Sequence, residues 1–255
     1  MKKQHLIIVL LCAGMLLLKS NNMNAQENQK LKKQTYKAYL TNSLSVWKTI
    51  ESNISKKQQA NPENVDLLLD LVKVRYGLLN CCLGKRNEEE FERYIDQAKE
   101  NVETLLQINP EHAETHALKA GLLSLEMGFN PRKGMFLGPE SGQHIEKAIA
   151  YDQTEPTGWM QKGGSKLHTP AMFGGSVEES ITCYKEAVRL FEKDSAIWKN
   201  NWLYINTLAW LGMAYKENEN YEKALETYNK ALAIEPEFGW VEHNLKKTLE
   251  KEMKD

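Results

Sequence analysis

Ile205-Asn-Thr-Leu208-Ala-Trp-Leu211-Gly212-Met-Ala-Tyr215-Lys-Glu-Asn-Glu-Asn-Tyr-Glu-Lys-Ala224-Leu-Glu-Thr-Tyr228-Asn-Lys-Ala231-Leu-Ala-Ile-Glu-Pro236-Glu-Phe238 is the stretch that carries most of the information in this chain. Its apolar residues recur at three- and four-residue steps, which is the period of a helix buried along one face. The Asn- and Glu-rich segment at 217–220 breaks the pattern, so the stretch reads as two helices and a turn. Gly212 and Ala224 are small where the two helices must cross closely, and Tyr215 and Tyr228 fill the space beside them. Pro236 is expected just inside the next helix, where its missing N–H costs little.

Leu208, Leu211-Gly212, Tyr215, Ala224, Tyr228, Ala231 and Pro236 fall in one 34-residue frame, and segment 205–238 thereby resembles a tetratricopeptide repeat. Weaker copies precede it. Trp159 and Gly163 match a first helix and Ser180, Tyr184 and Ala187 its partner, with about five extra residues between them. Gly121 with Ala148, and Gly77 with Ala98 and Pro110, mark two more. The four glycines at 77, 121, 163 and 212 are 44, 42 and 49 residues apart, which describes repeats with lengthened loops. Asn61-Pro62 and Asn109-Pro110 read as N-caps followed by a helical Pro. Asn87 before Glu88-Glu89-Glu90, and Ser176 with Glu179, are further helix starts. Tyr36, Leu40, Leu44, Trp47, Ile50 and Ile54 form one stripe, so 28–58 reads as a single N-terminal helix. The polar 237–253 segment, with Phe238, Trp240, Val241, Leu245 and Leu249 on one face, suits a C-terminal cap. The expected fold is all-α: a right-handed α-solenoid of about four helix pairs, between an N-terminal helix and a capping helix.

The chain has 255 residues, 42% of them apolar, and a net charge of -1. That composition excludes a disordered or collagenous chain and nucleic-acid binding driven by bulk positive charge. Lys2 and Lys3, the apolar run Leu6–Leu18 and the exit at Ala25-Gln26 describe a secretory signal peptide over 1–25, followed by one domain over 26–255. The run is shorter than the roughly 20 residues that span a bilayer. Cys12 follows Leu11, which departs from a lipoprotein signal. Removal of 1–25 takes away Lys2, Lys3 and Lys19 and no acid, leaving a charge of -4. Cys81, Cys82 and Cys183 remain, an odd number that gives no disulfide framework. They read as small buried helix residues, with a bridge from Cys183 to Cys81 or Cys82 open.

No constellation for catalysis, a metal or a cofactor emerges. His112 and His116 share a helix face in this reading, but Glu114 is one place off the metalloprotease pattern and no third ligand follows. Gly134, Gly138 and Gly142 lack the Lys-Ser/Thr of a phosphate cradle. Gly163-Gly164-Ser165 and Gly174-Gly175-Ser176 lack the second Gly of a nucleophile elbow. The Trp198, Trp202, Tyr204 and Trp210 cluster reads as helix core, with 198 and 202 on one face.

The resemblance implies a concave groove lined by the first helices, which in tetratricopeptide proteins binds a peptide or protein segment. The repeat frame carries groove positions to Thr157, Met160 and Leu167, and to Asn206, Ala209, Met213 and Lys216. In the earlier copies they fall on Thr115, Leu118, Leu122 and Leu125, and on Leu71, Val74, Leu78 and Cys81. So apolar a surface must be covered or bind something; the 28–58 helix folding into it is one explanation. The 129–138 loop, with Arg132 and Phe136, and the 167–175 loop, with Leu167, His168, Met172 and Phe173, are further candidate surfaces. In the second loop, Met172 and Phe173 could plug a gap against the next repeat. Segment 168–191 has some similarity to the T component of TRAP solute transporters. The whole is more similar to small exported bacterial tetratricopeptide proteins of unassigned activity, which share the Gly138-Pro-x-Ser…His144-Ile-Glu-Lys-Ala148 run. The expected function is a non-enzymatic scaffold for a protein or peptide partner in the bacterial envelope, periplasmic or secreted, with an uptake accessory or apolar-ligand carrier as the alternative.

Overall fold

The computed structural model describes residues 26–254, in which all regular structure is helical. Two helices open it, α1 (26–40) and α2 (Leu44–Ala60). Four antiparallel pairs follow: α3 (Val65–Lys85) with α4 (Glu88–Ile108), α5 (Ala113–Phe129) with α6 (Gly134–Tyr151), α7 (Pro156–His168) with α8 (Val177–Phe191), and α10 (Trp202–Glu217) with α11 (Tyr221–Ile234). The short α9 (Ser195–Trp198) lies between the third and fourth pairs. A π-helical segment Trp240–Lys246 continues into α12 (Lys247–Glu252) and covers the end. The expected all-α solenoid of four pairs is therefore present, and the glycines at 77, 121, 163 and 212 sit on α3, α5, α7 and α10.

Those glycines set how closely elements approach. A methyl group on Gly212 would run into the Tyr228 ring, and one on Gly163 into the Tyr184 ring, so each glycine admits the aromatic of its own hairpin. Ser180 ties the third pair further by donating to the Gly163 carbonyl at 2.8 Å. Gly77 and Gly121 do something different. Gly77 receives Trp47 from α2, and Gly121 lies under Tyr76 from α3 and Gln161 from α7, so both serve contacts between pairs.

Several local expectations are corrected. The segment 28–58 is not one helix: Thr41-Asn42-Ser43 folds it back, with Asn42 in the left-handed region at φ 45° and Ser43 capping α2. Asn61 and Asn109 end helices rather than start them. Helices α3 and α5 begin three to four residues later, capped by Asn64 and His112, because Pro62 and Pro110 lie in the intervening turns. Pro236 likewise sits in a turn ahead of the last helical segment. Trp198 and Trp202 do not share a face: α9 ends at Trp198, and Asn200 (φ 55°) turns the chain before α10. The loop expected at 129–138 is shorter, since α6 begins at Gly134. Asn87 and Ser176 cap as expected, at 3.1 and 3.2 Å, although the Glu179 carboxylate pairs with Lys166 (2.7 Å) instead of closing a capping box.

Candidate interaction surface

Helix α1 lies in the groove. Its Tyr36 and Tyr39 pack against both halves of the core, the half built by α2–α4 and the half built by α8, α10, α11 and the C-terminal cap. The Tyr39 ring lies 5.2 Å from Trp202 and 5.6 Å from Phe238, and its hydroxyl donates to Asn206 Oδ1 at 2.7 Å. Lys32 Nζ donates to the Ala196 carbonyl at 2.9 Å. Burial and Glu235 raise the Tyr36 phenol well above its ordinary range. The apolar positions at Leu71, Val74, Leu78, Cys81, Leu118, Leu122 and Leu125 are all buried. An open greasy groove is therefore not offered among the described residues. Met160 is core, and Leu167 and Met213 are half-buried. Lys216 pairs with Glu252 at 2.7 Å.

What remains of the groove mouth is a cleft of about 630 Å³ beside the starts of α5 and α7. Lys73 bridges to Glu114 at 2.8 Å there. Glu155 caps α7 through the Thr157 N–H, and its carboxyl is pushed up to about 7 by burial and by Glu114.

The exposed apolar surface lies elsewhere, at two hairpin tips. Met135 and Phe136 at the α5–α6 turn are 80% and 78% exposed, and Met172 and Phe173 at the α7–α8 turn are 83% and 72% exposed. Met172 and Phe173 plug no gap. Each tip carries a Pro and a 3-10 turn, but Met135 and Phe136 lie on the first turn of α6 just after Pro131–Lys133, whereas Met172 and Phe173 lie within Ala171–Phe173, after Pro170. Each is pinned. Asn130 accepts from the Arg132 N–H and Lys133 pairs with Glu126 at 2.7 Å in the first. In the second, Ser176 N–H donates to the Lys166 carbonyl at 2.9 Å, and Gly174 takes φ 91° where a side chain would be strained. Gly175 lies against the Thr169 carbonyl with no room for a Cβ. Four large apolar side chains at these tips form the kind of surface that soluble proteins bury in complexes. His168, exposed, stands edge-on to Trp210 at 5.0 Å beside the second tip. Arg132 is exposed at the first. The sequence reading named Phe136, Met172 and Phe173 and missed Met135. The Met-Phe dipeptide recurring at 135–136 and 172–173 was the signal.

The histidines arrange differently from expectation. His112 is a cap whose ring accepts from the Thr115 N–H, so it does not share a helix face with His116. His116 instead meets His144 of α6, Nδ1 to Nδ1 at 2.7 Å, with its Nε2 2.8 Å from the Pro110 carbonyl. The carbonyl can only accept a hydrogen bond, so Nε2 carries the hydrogen of the neutral His116 ring, His116 Nδ1 is the acceptor and His144 Nδ1 the donor. Burial lowers both imidazoles, His144 to about 4. No group of three or more His, Cys, Asp or Glu with metal-binding geometry occurs among the described residues. Cys81, Cys82 and Cys183 are free buried thiols, and burial pushes Cys82 up to about 12. The aromatic cluster is core, with Trp202 and Tyr204 buried. No described helix is long and apolar enough to cross a membrane. The 1–25 segment, with Cys12, lies outside the described residues.

Residues 205–238 match the tetratricopeptide repeat family model. No curated protein sequence matches the chain. Among solved structures, the haemophore HusA from Porphyromonas gingivalis is 17% identical over 74% of this chain and 93% of its own, with a TM-score of 0.61. A thermophilic tetratricopeptide protein of Thermus thermophilus is 16% identical over 82% of this chain and 91% of its own, at 0.54. The Cut9–Hcn1 hetero-tetramer of the anaphase-promoting complex is 16% identical over 91% of this chain and 41% of the matched chain, at 0.57. At these identities the likeness is one of fold.

Proposed function

We propose that this protein is a non-enzymatic scaffold, exported to the bacterial envelope, that docks a protein partner along the edge bearing its hairpin tips. The fold supports a role in protein–protein interaction. The observation that carries the finer reading is the pair of exposed Met-Phe tips on consecutive repeats, in a fold whose groove is already filled by α1. Export rests on the basic start, the 13-residue apolar run and the small residue at position 25. The test is affinity purification from envelope extract with the wild type and with Met172→Ser plus Phe173→Ser. A co-purifying protein lost from the variant, with circular dichroism unchanged, supports docking at the tip. The same partners retained at wild-type levels would remove the tip from the interface.

A second reading is favoured by the same side chains. One structural neighbour is a haemophore, and the exposed tips carry the thioether sulfurs of Met135 and Met172, the rings of Phe136 and Phe173 and, in the first, the guanidinium of Arg132. A haem-like macrocycle would use all three chemistries: soft ligation, stacking and carboxylate pairing. Titration with haemin separates the two. A Soret band that Met135→Leu plus Met172→Leu abolishes favours the macrocycle, and an unperturbed haemin spectrum leaves the protein partner.

A further inference from the structure

We infer that α1 is an exchangeable occupant of the groove, and that a second copy of this chain can supply it in trans to give a swapped dimer. The inference starts from a conflict between sequence and fold. The stripe Tyr36, Leu40, Leu44, Trp47, Ile50, Ile54 keeps helical period straight through 41–43. The structure nevertheless turns there and folds α1 back onto the groove. The same residues therefore satisfy two conformations: the closed hairpin, and a continuous helix over 26–60 about 52 Å long, which carries α1 away from its own chain.

The latch is mostly local: Thr41 and Asn42 N–H donate to the Lys37 and Tyr39 carbonyls at 3.0 Å, and Cys81 Sγ, a weak donor, reaches Asn42 Oδ1 at 3.3 Å. Asn42 occupies the left-handed position at φ 45°, with the Ser43 N–H reaching back to the Ala38 carbonyl at 3.2 Å. Glycine is the residue that takes this position at least cost. Ser43, the cap of α2, accepts from the Val46 N–H only at 3.4 Å. Of the α1 side chains, Ala38 is fully buried and Thr35 buried, and Leu31, Tyr36, Tyr39 and Leu40 only partly. Straightening exposes Trp202, Asn206 and Phe238 in the groove. The segment whose shape and hydrogen bonds match those groups is α1 itself, through Tyr39, and Lys32 adds its bond to the Ala196 carbonyl. A second molecule presents an identical α1, so every lost contact is restored between copies and the net cost falls on the hinge. That is the condition under which short strained hinge loops swap.

The test uses the purified protein at several concentrations, with mass measured by light scattering after size exclusion. Thr41→Ala plus Asn42→Ala plus Ser43→Ala removes the left-handed residue and the cap and favours helix through the turn. It is expected to raise the dimer association constant more than tenfold. Asn42→Gly, which relaxes the turn, is expected to lower it about threefold per hinge, about tenfold for a dimer containing two. A mixture of 14N- and 15N-labelled wild-type chains, partly unfolded, refolded at high concentration and treated with a lysine cross-linker, tests the wild type directly. Lys32–Lys199 peptide pairs of mixed isotope in the dimer fraction support exchange. The proposal is overturned by a dimer whose Lys32–Lys199 pairs all come from one chain, or by refolded wild type that holds no dimer at any concentration. A triple variant that folds and stays monomeric overturns it equally.

Discussion

Acidification should loosen the α5–α6 hairpin through the His116–His144 pair. With His116 Nε2–H donating to the Pro110 carbonyl, a proton on His116 Nδ1 sets two N–H groups head to head across 2.7 Å, while a proton on His144 Nε2 is opposed first by burial. The groups facing the pair add to the penalty. Lys119 and Lys147 oppose a positive charge on either imidazole and His112 opposes it on His116; Glu140 favours it on His144 and the Pro110 carbonyl on His116, and the Tyr151 ring stacks 5.4 Å from His116. His144 falls from 6.5 to about 4, so between those values the unfolded chain binds more protons than the folded one. Stability is then complete above pH 6.5, declines as pH falls through the window, and levels off below about 4. At about 1.4 kcal/mol for each pH unit the window removes about 3.5 kcal/mol at most, and solvent contact at the rim of the pair reduces this to about 2. His144→Asn isolates the effect, because an Asn amide can still donate to His116 Nδ1 but cannot titrate. Urea unfolding followed by circular dichroism at pH 7.5, 6.0, 5.0 and 4.5 gives the slope. Hydrogen exchange over 113–151 shows whether the loss is local, as repeat proteins permit. Equal slopes for wild type and His144→Asn would refute the assignment of the acid loss to His144.

Three further outcomes follow from packing and charge. Gly142→Ala, on α6 with nothing within reach of the new methyl, should stabilise by about 0.5–1 kcal/mol, whereas Gly212→Ala should destabilise by about 1–3 kcal/mol because it meets the Tyr228 ring; thermal melts of the two report opposite signs. Arg75 is buried and bridges Glu51 on α2 (2.9 Å) and Gln97 on α4 (2.9 Å), so Glu51→Ala should cost about 3–5 kcal/mol by leaving a guanidinium unpaired, measured by urea unfolding at pH 7.5. Glu155→Gln keeps the cap on the Thr157 N–H but removes a charge disfavoured by burial and Glu114; since the raised carboxyl loses folded-state stability as pH climbs from 4.5 through about 7, the variant should melt higher than wild type at pH 8 and indistinguishably at pH 4.5.

The sequence showed the repeats because their spacing is set by sterics within one hairpin. Gly212 and Gly163 must be glycine for Tyr228 and Tyr184 to fit, and such pairs lie 16 and 21 residues apart whatever surrounds them. Helix starts were less legible. Asn-Pro fits both a helix end followed by a turn and a cap followed by a helix, and only packing of the preceding helix distinguishes them at Asn61 and Asn109. The His116–His144 pair was out of reach, because it depends on how α6 returns along α5 after a turn of non-standard length.

The break in 26–60 is the most informative failure. Local periodicity favours a continuous helix, and the chain bends because a long-range surface outweighs it. Tyr39 finds Trp202, Asn206 and Phe238, more than 160 residues further along, only if Thr41-Asn42-Ser43 turns. Helix periodicity is worth a few tenths of a kcal/mol per residue, while burial of a large aromatic side chain is worth about 1.5–3 kcal/mol. The tertiary term therefore wins in the closed monomer at the cost of one left-handed Asn. An outside helix that offered the groove the same aromatic contacts would cancel that advantage and leave the local preference to decide. The same comparison explains why the Met-Phe tips stay exposed: Pro131, Pro170 and Gly174 fix their turns locally, and no described segment of this chain reaches over to cover them.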